Sequence, residues 1–170
     1  DLKVIFNGYL GIENDKIIYV GDQLPKEKYD VVKDMSNKLL MPGLFNSHSH
    51  AAMVLLRGVG SGYPLQEWLF ENIIPIEDKL VANDIRVGNR LAIMEMISTG
   101  TVSFSDMYID PLVQMDEVIK AKMKINICRP VLAFDPTEAP EANERFIESL
   151  KLYDEYHNHD EERVKIDLGI

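Results

Sequence analysis

The sequence predicts an α/β protein in which parallel strands alternate with helices, preceded by a small β module. Two observations lead to this fold class. From about residue 41 onward, short apolar segments alternate with longer amphipathic ones, which is typical of repeated βα units. Before that point, brief β-branched runs alternate with turn residues, which favours short strands. We therefore divide the chain into residues 1–40 and 41–170.

The composition is that of a globular protein rather than of a nucleic-acid or membrane binder. Of the 170 residues, 46% are hydrophobic, and 18 basic against 28 acidic residues give a formal net charge of −10. Such a chain can bury a core, whereas a nucleic-acid partner would favour a basic surface. The single cysteine, Cys128, cannot form an internal disulfide. We therefore expect a cytoplasmic protein without a nucleic-acid or membrane partner.

Residues 1–40 contain apolar runs that are too short for helices. Val4–Phe6 and Lys16–Val20 are the clearest strand candidates, and the turn residues Glu13-Asn14-Asp15 lie between them. A module of forty residues with short strands does not close a stable core by itself. We expect it to pack on another part of the protein.

The elements predicted after this module alternate between strand and helix. In order, they are strand Leu39–Asn46, helix Asp84–Ser98, strand Thr101–Tyr108, a helix from Asp110-Pro111 to about Met123, strand Ile125–Arg129, helix Glu141–Tyr156 and strand Val164–Ile170.

Local signals mark the ends of two of these helices. Four residues of the first helix fall on one apolar stripe: Ile85, Gly88, Ala92 and Met96. Gly100 follows that helix at the C′ position, which glycine favours. Asp110 and Pro111 are predicted as the N-cap and first residue of the next helix.

Four strands separated by helices are compatible with two kinds of parallel sheet. A (β/α)8 barrel has about 250 residues, so residues 41–170 would supply about half of one. An open, doubly wound sheet needs fewer strands, but no glycine-rich dinucleotide fingerprint follows the first strand. The pattern of elements alone does not decide between the two.

All four histidines occur in two His-x-His pairs. His48 and His50 follow an apolar strand, where residues i and i+2 point to the same face, so both imidazoles can bind one metal ion. A pair of buried, hydrogen-bonded histidines is the alternative, because a catalytic zinc has three protein ligands. His157 and His159 end a helical pattern, in which i and i+2 do not face each other, so we expect solvated side chains.

The segment from Met41 to Gly58 contains the pattern Pro-Gly-(x)4-His-x-His, beginning at Pro42. Other segments continue the similarity downstream: Glu67-Trp68-Leu69-Phe70, Pro75-Ile76-Glu77-Asp78, Met94-Glu95-Met96 and Asp106-Met107-Tyr108. On these residues the chain resembles the amidohydrolase superfamily, and within it the 5′-methylthioadenosine/S-adenosylhomocysteine deaminases and their chlorohydrolase relatives. The resemblance implies the first half of a (β/α)8 TIM-like barrel, with residues 1–40 forming part of a small composite β-sandwich.

The resemblance also implies a metal-dependent hydrolytic deamination. One divalent metal, zinc first and iron second, would activate water for attack on the amine-bearing carbon of adenine. His48 and His50 match the first two metal ligands of the family. The remaining ligands and the proton-shuttling acid come later in the family pattern, so we expect no catalytic acid or base up to Ile170.

The resemblance gives four further residues substrate-binding roles, each with a structural alternative. Glu77 would accept hydrogen bonds from ribose hydroxyls, or its charge favours the start of a helix. Arg129 and Arg145 would bind the amino-acid tail of the substrate, because a guanidinium binds a carboxylate bidentately. Alternatively, Arg129 forms a structural ion pair and Arg145 lies on the surface. Trp68 would form a pocket wall or pack in the core.

Two residues at strand ends are expected to have supporting roles. Asp106 ends the second predicted barrel strand, and we expect it to orient its neighbours rather than bind metal. Cys128 is expected to be a core thiol.

The sequence therefore predicts a metal-dependent deaminase of adenosine-type thioethers, a small nucleoside-like substrate class, with this chain as an N-terminal part. One alternative is a related amidohydrolase acting on guanine, cytosine or a chloro-s-triazine. Another is a non-catalytic, barrel-derived binding module. Half a barrel leaves two open strand edges, so we also expect a homo-oligomer or further residues that cover them.

Overall fold

A computed structural model describes residues 3–132, 137 and 139–169 of the chain. The chain divides into two compact units, Asp1–Pro42 and Gly43–Ile170. The first unit contains an antiparallel hairpin of β1 (Tyr9–Glu13) and β2 (Lys16–Gly21). The second contains a four-stranded parallel sheet with helices.

The hairpin confirms one of the two strands predicted in the first unit. β2 covers the predicted Lys16–Val20, but the prediction of a strand at Val4–Phe6 is wrong. Glu13 pairs directly with Lys16, so a two-residue turn joins the strands, and Asn14 in this turn has a φ of 55°. A turn this short fixes the register, and the residues directly before it become the partner strand.

The four strands of the second unit are parallel and follow one another in the sheet in chain order. They are β3 (Leu44–Ser49), β4 (Thr101–Met107), β5 (Lys124–Cys128) and β6 (Val164–Ile166). Sequential order is that of a (β/α)8 barrel, whereas the order of a doubly wound sheet reverses at a switch point. The predicted α/β class with half a barrel is confirmed.

Helices connect these strands. They are α1 (Leu65–Glu67), α2 (Ile74–Glu77), α3 (Ala82–Ser98), α4 (Pro111–Ala121), α5 (Glu144–Tyr156) and a short turn, α6 (His159–Glu162). Two 3₁₀ segments, Ala51–Leu56 and Pro140–Ala142, and a π-helical turn, Trp68–Ile73, complete the second unit. None of the helices described is long and apolar enough to cross a membrane.

The core lies on the face of the sheet that the helices cover. Its fully buried side chains include Phe104, Ile125, Ile127, Met115, Val118, Leu152 and Val164. Alternate strand residues point to the opposite face, which carries small and polar side chains such as Ser103, Ser105 and Asn126. The helix-covered face therefore supplies the apolar burial of this unit.

The predicted boundaries of α3 and β4 are confirmed to within two residues, whereas β3 is shifted. β3 begins at Leu44 rather than Leu39, because its parallel pairing starts opposite Thr101. It continues to Ser49, so His48 lies within the strand. Gly100 has a φ of 84°, as expected for a glycine that ends a helix.

The ends of the later elements also differ from prediction. α4 stops at Ala121, because Lys122 adopts a φ of 53°, and the side chain of Asp110 makes no capping hydrogen bond. α5 begins at Glu144, because the Asn143 side chain accepts hydrogen bonds from the first-turn amides. β6 ends at Ile166. The predicted end of that strand, Ile170, lies outside the described residues.

A close contact fixes α3 against the 3₁₀ segment that follows His50. Gly88 faces the backbone of Ala52, and a Cβ atom at Gly88 would lie 2.6 Å from the Ala52 carbonyl oxygen. Such a distance is below van der Waals contact, so a glycine is needed at this position of α3. The contact holds the segment after His50 against the body of the second unit.

Candidate metal-binding site

The imidazoles of His48 and His50 lie side by side at the end of β3. Their ring centroids are 4.9 Å apart, with an angle of 84° between the ring planes. His48 is exposed and His50 is half-buried. Between Asn46 and Ser49 the pairing with β4 shifts by one residue, so a bulge interrupts the strand at this point. Simple alternation along a regular strand is therefore not the whole reason for their proximity.

The neighbouring strand fixes the orientation of the His50 ring. Nδ1 of His50 lies 2.5 Å from the carbonyl oxygen of Met107. A carbonyl only accepts hydrogen bonds, so Nδ1 carries a proton, and in the neutral ring Nε2 has the lone pair. This tautomer is the one that can bind a metal through Nε2, and the ring pair fits two of the ligands of a divalent ion.

A third ligand is not found in the part of the chain that the structure describes. Within that part, no three or more His, Cys, Asp or Glu side chains are grouped so that they could hold a metal ion. A catalytic zinc has three protein ligands and an open position. The described residues therefore supply two imidazoles and no complete site.

Asp106 pairs with Ser49 across the sheet and is almost fully buried, with 2% of its surface exposed. Its Oδ1 accepts a hydrogen bond from the Ala51 amide at 2.8 Å. It also accepts one at 2.8 Å from the Ser49 hydroxyl, which shares its proton with the Ser105 carbonyl oxygen at the same distance. Its Oδ2 accepts one from the Gln114 side chain at 2.5 Å. Burial raises the pKa of the Asp106 carboxyl, and these three hydrogen bonds oppose that rise.

A second contact links the end of β4 to Glu77. The hydroxyl of the buried Tyr108 donates a hydrogen bond of 2.7 Å to Oε1 of Glu77. The Tyr108 ring also lies 6.1 Å from that of His50. Burial, and then the hydrogen bond to Glu77, raise the pKa of the Tyr108 hydroxyl. Tyr108 therefore stays protonated and acts as a donor to Glu77.

An open cleft of about 690 Å³ lies beside the histidines. It runs between the end of β3, the 3₁₀ segment Ala51–Leu56 and the C-terminal half of α3. Arg57 and Glu95 line it and form a bidentate ion pair, with N–O distances of 3.0 and 2.6 Å. His48 and His50 line this cleft, but Glu77, Trp68, Arg129 and Arg145 are not among its lining residues.

Ser149 of α5 lies between the backbone carbonyl groups of the two arginines predicted to bind substrate. The Ser149 hydroxyl lies 3.1 Å from the Arg129 carbonyl oxygen and 2.8 Å from that of Arg145. Nε of Arg129 donates to Glu148 at 2.8 Å, so the structural ion pair forms. Within the described part of the chain, the Arg145 side chain is half-buried and makes no ion pair.

Trp68 is held by a loop contact. Its Nε1 donates a hydrogen bond of 3.1 Å to the Val59 carbonyl oxygen, and the ring packs over Gly60. These contacts match the packing alternative and leave the pocket-wall role as a prediction.

Solvated side chains are predicted for both histidines of the second pair, but only His159 is exposed. His157 is half-buried and stacks on Tyr153 with a centroid distance of 4.4 Å. Its Nδ1 accepts a hydrogen bond from the Ile166 amide at 3.1 Å, so this ring holds β6 in place. His159 is exposed, as expected.

The hydrogen bonds of three residues at the site were not predicted from the sequence. Ser49 and Gln114 bind Asp106, and Tyr108 binds Glu77. A signal existed for Tyr108, because it follows Asp106 by two residues and so continues the same face of β4. Ser49 and Gln114 carry no such signal, since serine and glutamine are common at strand and helix positions and their partners depend on the fold.

Residues 39–170 match the model of the Amidohydrolase family, and the chain belongs to this family. A 5-methylthioadenosine/S-adenosylhomocysteine deaminase of Thermoanaerobacter pseudethanolicus is 39% identical over 166 residues, which are 96% of this chain and 37% of that protein. The predicted resemblance is confirmed. The chain spans little more than a third of the length of the curated relatives it matches.

Solved structures agree with the fold. A guanine deaminase from C. acetobutylicum with bound guanine superposes with a TM-score of 0.82 at 19% identity, covering 98% of this chain and 42% of that one. An adenosine deaminase from Xanthomonas campestris with bound zinc gives a TM-score of 0.66 at 29% identity, covering 75% and 29%. At 19% identity, the similarity to the guanine deaminase shows a shared fold and nothing further.

Proposed function

We propose that the polypeptide carrying this chain is a metal-dependent hydrolytic deaminase of adenosine-type thioethers, methylthioadenosine and S-adenosylhomocysteine. The observation that carries the proposal is the pair of adjacent imidazoles at the end of β3, with Nδ1 of His50 occupied by a carbonyl and Nε2 free for a metal. The deaminase from Thermoanaerobacter, which matches 96% of the chain, supports the substrate class.

His48 and His50 would hold two positions of one divalent metal, zinc first and iron second. Such a metal, when bound, supplies an activated water for hydrolysis at neutral pH. The zinc in the Xanthomonas adenosine deaminase supports this choice. The contribution of this chain is to hold the two rings, with the Met107 carbonyl fixing the tautomer of His50. The remaining ligands and the proton-shuttling acid would come from residues beyond Ile170.

Glu77 and the two arginines would bind the substrate. Oε1 of Glu77 is engaged by Tyr108, and Oε2 has lone pairs for a ribose hydroxyl. The guanidinium of Arg129 has five N–H donors, of which Nε–H is bound to Glu148, so its other groups can bind a carboxylate. Arg145 would supply a second guanidinium for the same carboxylate. Trp68 would form a pocket wall.

Ammonia release from methylthioadenosine by the full polypeptide that carries this chain tests the proposal. We expect activity that is lost on metal removal by a chelator and restored by zinc. His48→Ala and His50→Ala should reduce both bound zinc and activity to background, because each removes a ligand. The matched control is His159→Ala, which removes an exposed histidine of the other pair and should leave both unchanged.

The same assay separates the alternatives. A rate for guanine, cytosine or a chloro-s-triazine above that for methylthioadenosine would contradict the substrate class and leave the metal site intact. Absence of bound metal and of turnover would contradict the proposal as a whole and favour a binding module.

We also propose a cytoplasmic location and a homo-oligomer. The single cysteine supports a reducing compartment. The two outer strands of the described sheet support a second copy of the chain, or further barrel strands, that would cover them.

A further inference from the structure

We propose that Asp106 is a positioning residue for the metal, because it holds the residues on both sides of His50. This inference rests on the proposed metal-dependent function. Oδ1 of Asp106 accepts hydrogen bonds from Ser49 and Ala51, the residues directly before and after His50. The carbonyl of the next β4 residue, Met107, binds the His50 ring itself.

These three hydrogen bonds join Asp106 and Met107 of β4 to three consecutive residues, 49–51, where β3 ends. They act at and just beyond Ser49 and Asp106, the last pair of the β3–β4 ladder, so the regular ladder does not hold His50 in place. The Asp106 carboxylate supplies the missing constraint. Loss of this carboxylate would leave the Ala51 amide buried without an acceptor and would allow the His50 ring to move.

The same contacts indicate that Asp106 supports the site rather than binding metal itself. Both carboxylate oxygens are engaged, Oδ1 by two donors and Oδ2 by the Gln114 amide on α4. With 2% of its surface exposed, Asp106 is buried between the sheet and the helices. It therefore acts on the metal through His50.

The test is the zinc dissociation constant of the full polypeptide, measured by competition with a chelator. We expect Asp106→Ala to weaken zinc binding by about 10–100-fold, which is typical for loss of a group that orients a ligand. Asp106→Asn should stay within about threefold of wild type, since its Oδ1 can still accept from Ala51 while the Gln114 amide turns to accept from Nδ2. The matched control, Asp116→Ala, removes an exposed aspartate of α4 and should have no effect.

A second readout separates positioning from folding. Cobalt in place of zinc should give visible bands that shift in Asp106→Ala and stay in Asp106→Asn, because only the first variant releases His50. If Asp106→Ala does not fold, Ser49→Ala, which removes one donor to Oδ1, should weaken zinc binding by about threefold to tenfold.

The outcomes distinguish this inference from the function on which it rests. A folded Asp106→Ala variant with wild-type zinc affinity and cobalt spectrum would overturn the positioning role and leave the metal site intact. If Asp106→Ala is unfolded, a Ser49→Ala variant with wild-type zinc affinity would likewise overturn the positioning role. A wild-type protein that binds no zinc would overturn both proposals.

Discussion

Asp106 and Met107 at the end of β4, and Tyr108 directly after it, each hold a different part of the candidate site. Asp106 fixes the backbone beside His50, and the Met107 carbonyl binds the ring of that histidine. Tyr108 donates a hydrogen bond to Glu77. One short segment thus connects the proposed metal ligands to the proposed ribose-binding carboxylate.

The Tyr108 contact predicts a specific defect in substrate binding. Tyr108→Phe removes the hydroxyl that orients Glu77, and a hydrogen bond to a charged group contributes about 1.5 kcal/mol. We therefore expect KM for methylthioadenosine to rise about tenfold, with kcat within about twofold of wild type. Steady-state kinetics of the full polypeptide measure both constants.

An analogue without ribose hydroxyls is the control for this prediction. Its KM should be the same for the wild type and for Tyr108→Phe, because Glu77 has no hydroxyl to bind. An equal rise in KM for both substrates would show that Tyr108 supports the fold rather than the orientation of Glu77.

At the level of elements, the parts of the fold that local chemistry determines could be predicted from the sequence. α3 carries an apolar stripe and is followed by Gly100, and the predicted boundaries of α3 and β4 lie within two residues of the structure. The starts of β1 and α5 could not be predicted, because they depend on the register fixed by a tight turn and on a cap by Asn143. The bulge in β3 likewise has no local signal.

The same distinction applies to the site. The spacing of His48 and His50 predicted their proximity, because both residues lie at the end of one strand. Asp106 was expected to orient its neighbours, but its partner Gln114 lies on the following helix, and Ser49 lies 57 residues away in the chain. Such partners follow from the packing of elements and not from any local pattern.

An ion pair between α3 and α4 should make the stability of the fold depend on pH. Glu117 is 6% exposed and accepts hydrogen bonds from Arg90 at 2.6 and 3.0 Å, which hold the pKa of this carboxyl below its ordinary value. A lowered pKa in the folded state stabilises the fold above the unfolded pKa of about 4.3, and this stabilisation is lost as pH falls through the folded value. Glu117→Gln should therefore lower Tm by about 2–4 °C at pH 7.

Thermal unfolding at several pH values measures this effect. The difference in Tm between wild type and Glu117→Gln should shrink as pH falls below about 4. Glu155→Gln, which removes an exposed partner of Lys151, should leave Tm unchanged at every pH. A difference for Glu117→Gln that is the same at pH 7 and pH 3 would contradict the assigned ion pair.

At the scale of the whole second unit, the candidate site lies where barrel enzymes place their active sites. Four parallel strands follow one another in chain order, and His50 and Met107 lie at the carboxyl ends of the first two. Within the described residues, β3 and β6 are the outer strands of the sheet. The site therefore lies at one edge of the sheet, where further ligands from beyond these four strands can complete it.

The central claim is that His48 and His50 bind the same metal ion. Crystals of the full polypeptide grown with zinc, with anomalous diffraction recorded at the zinc absorption edge, test it most directly. We expect one strong peak within bonding distance of Nε2 of His50 and of one ring nitrogen of His48. A peak bound to only one of these rings, or zinc located elsewhere with both rings free, would contradict it.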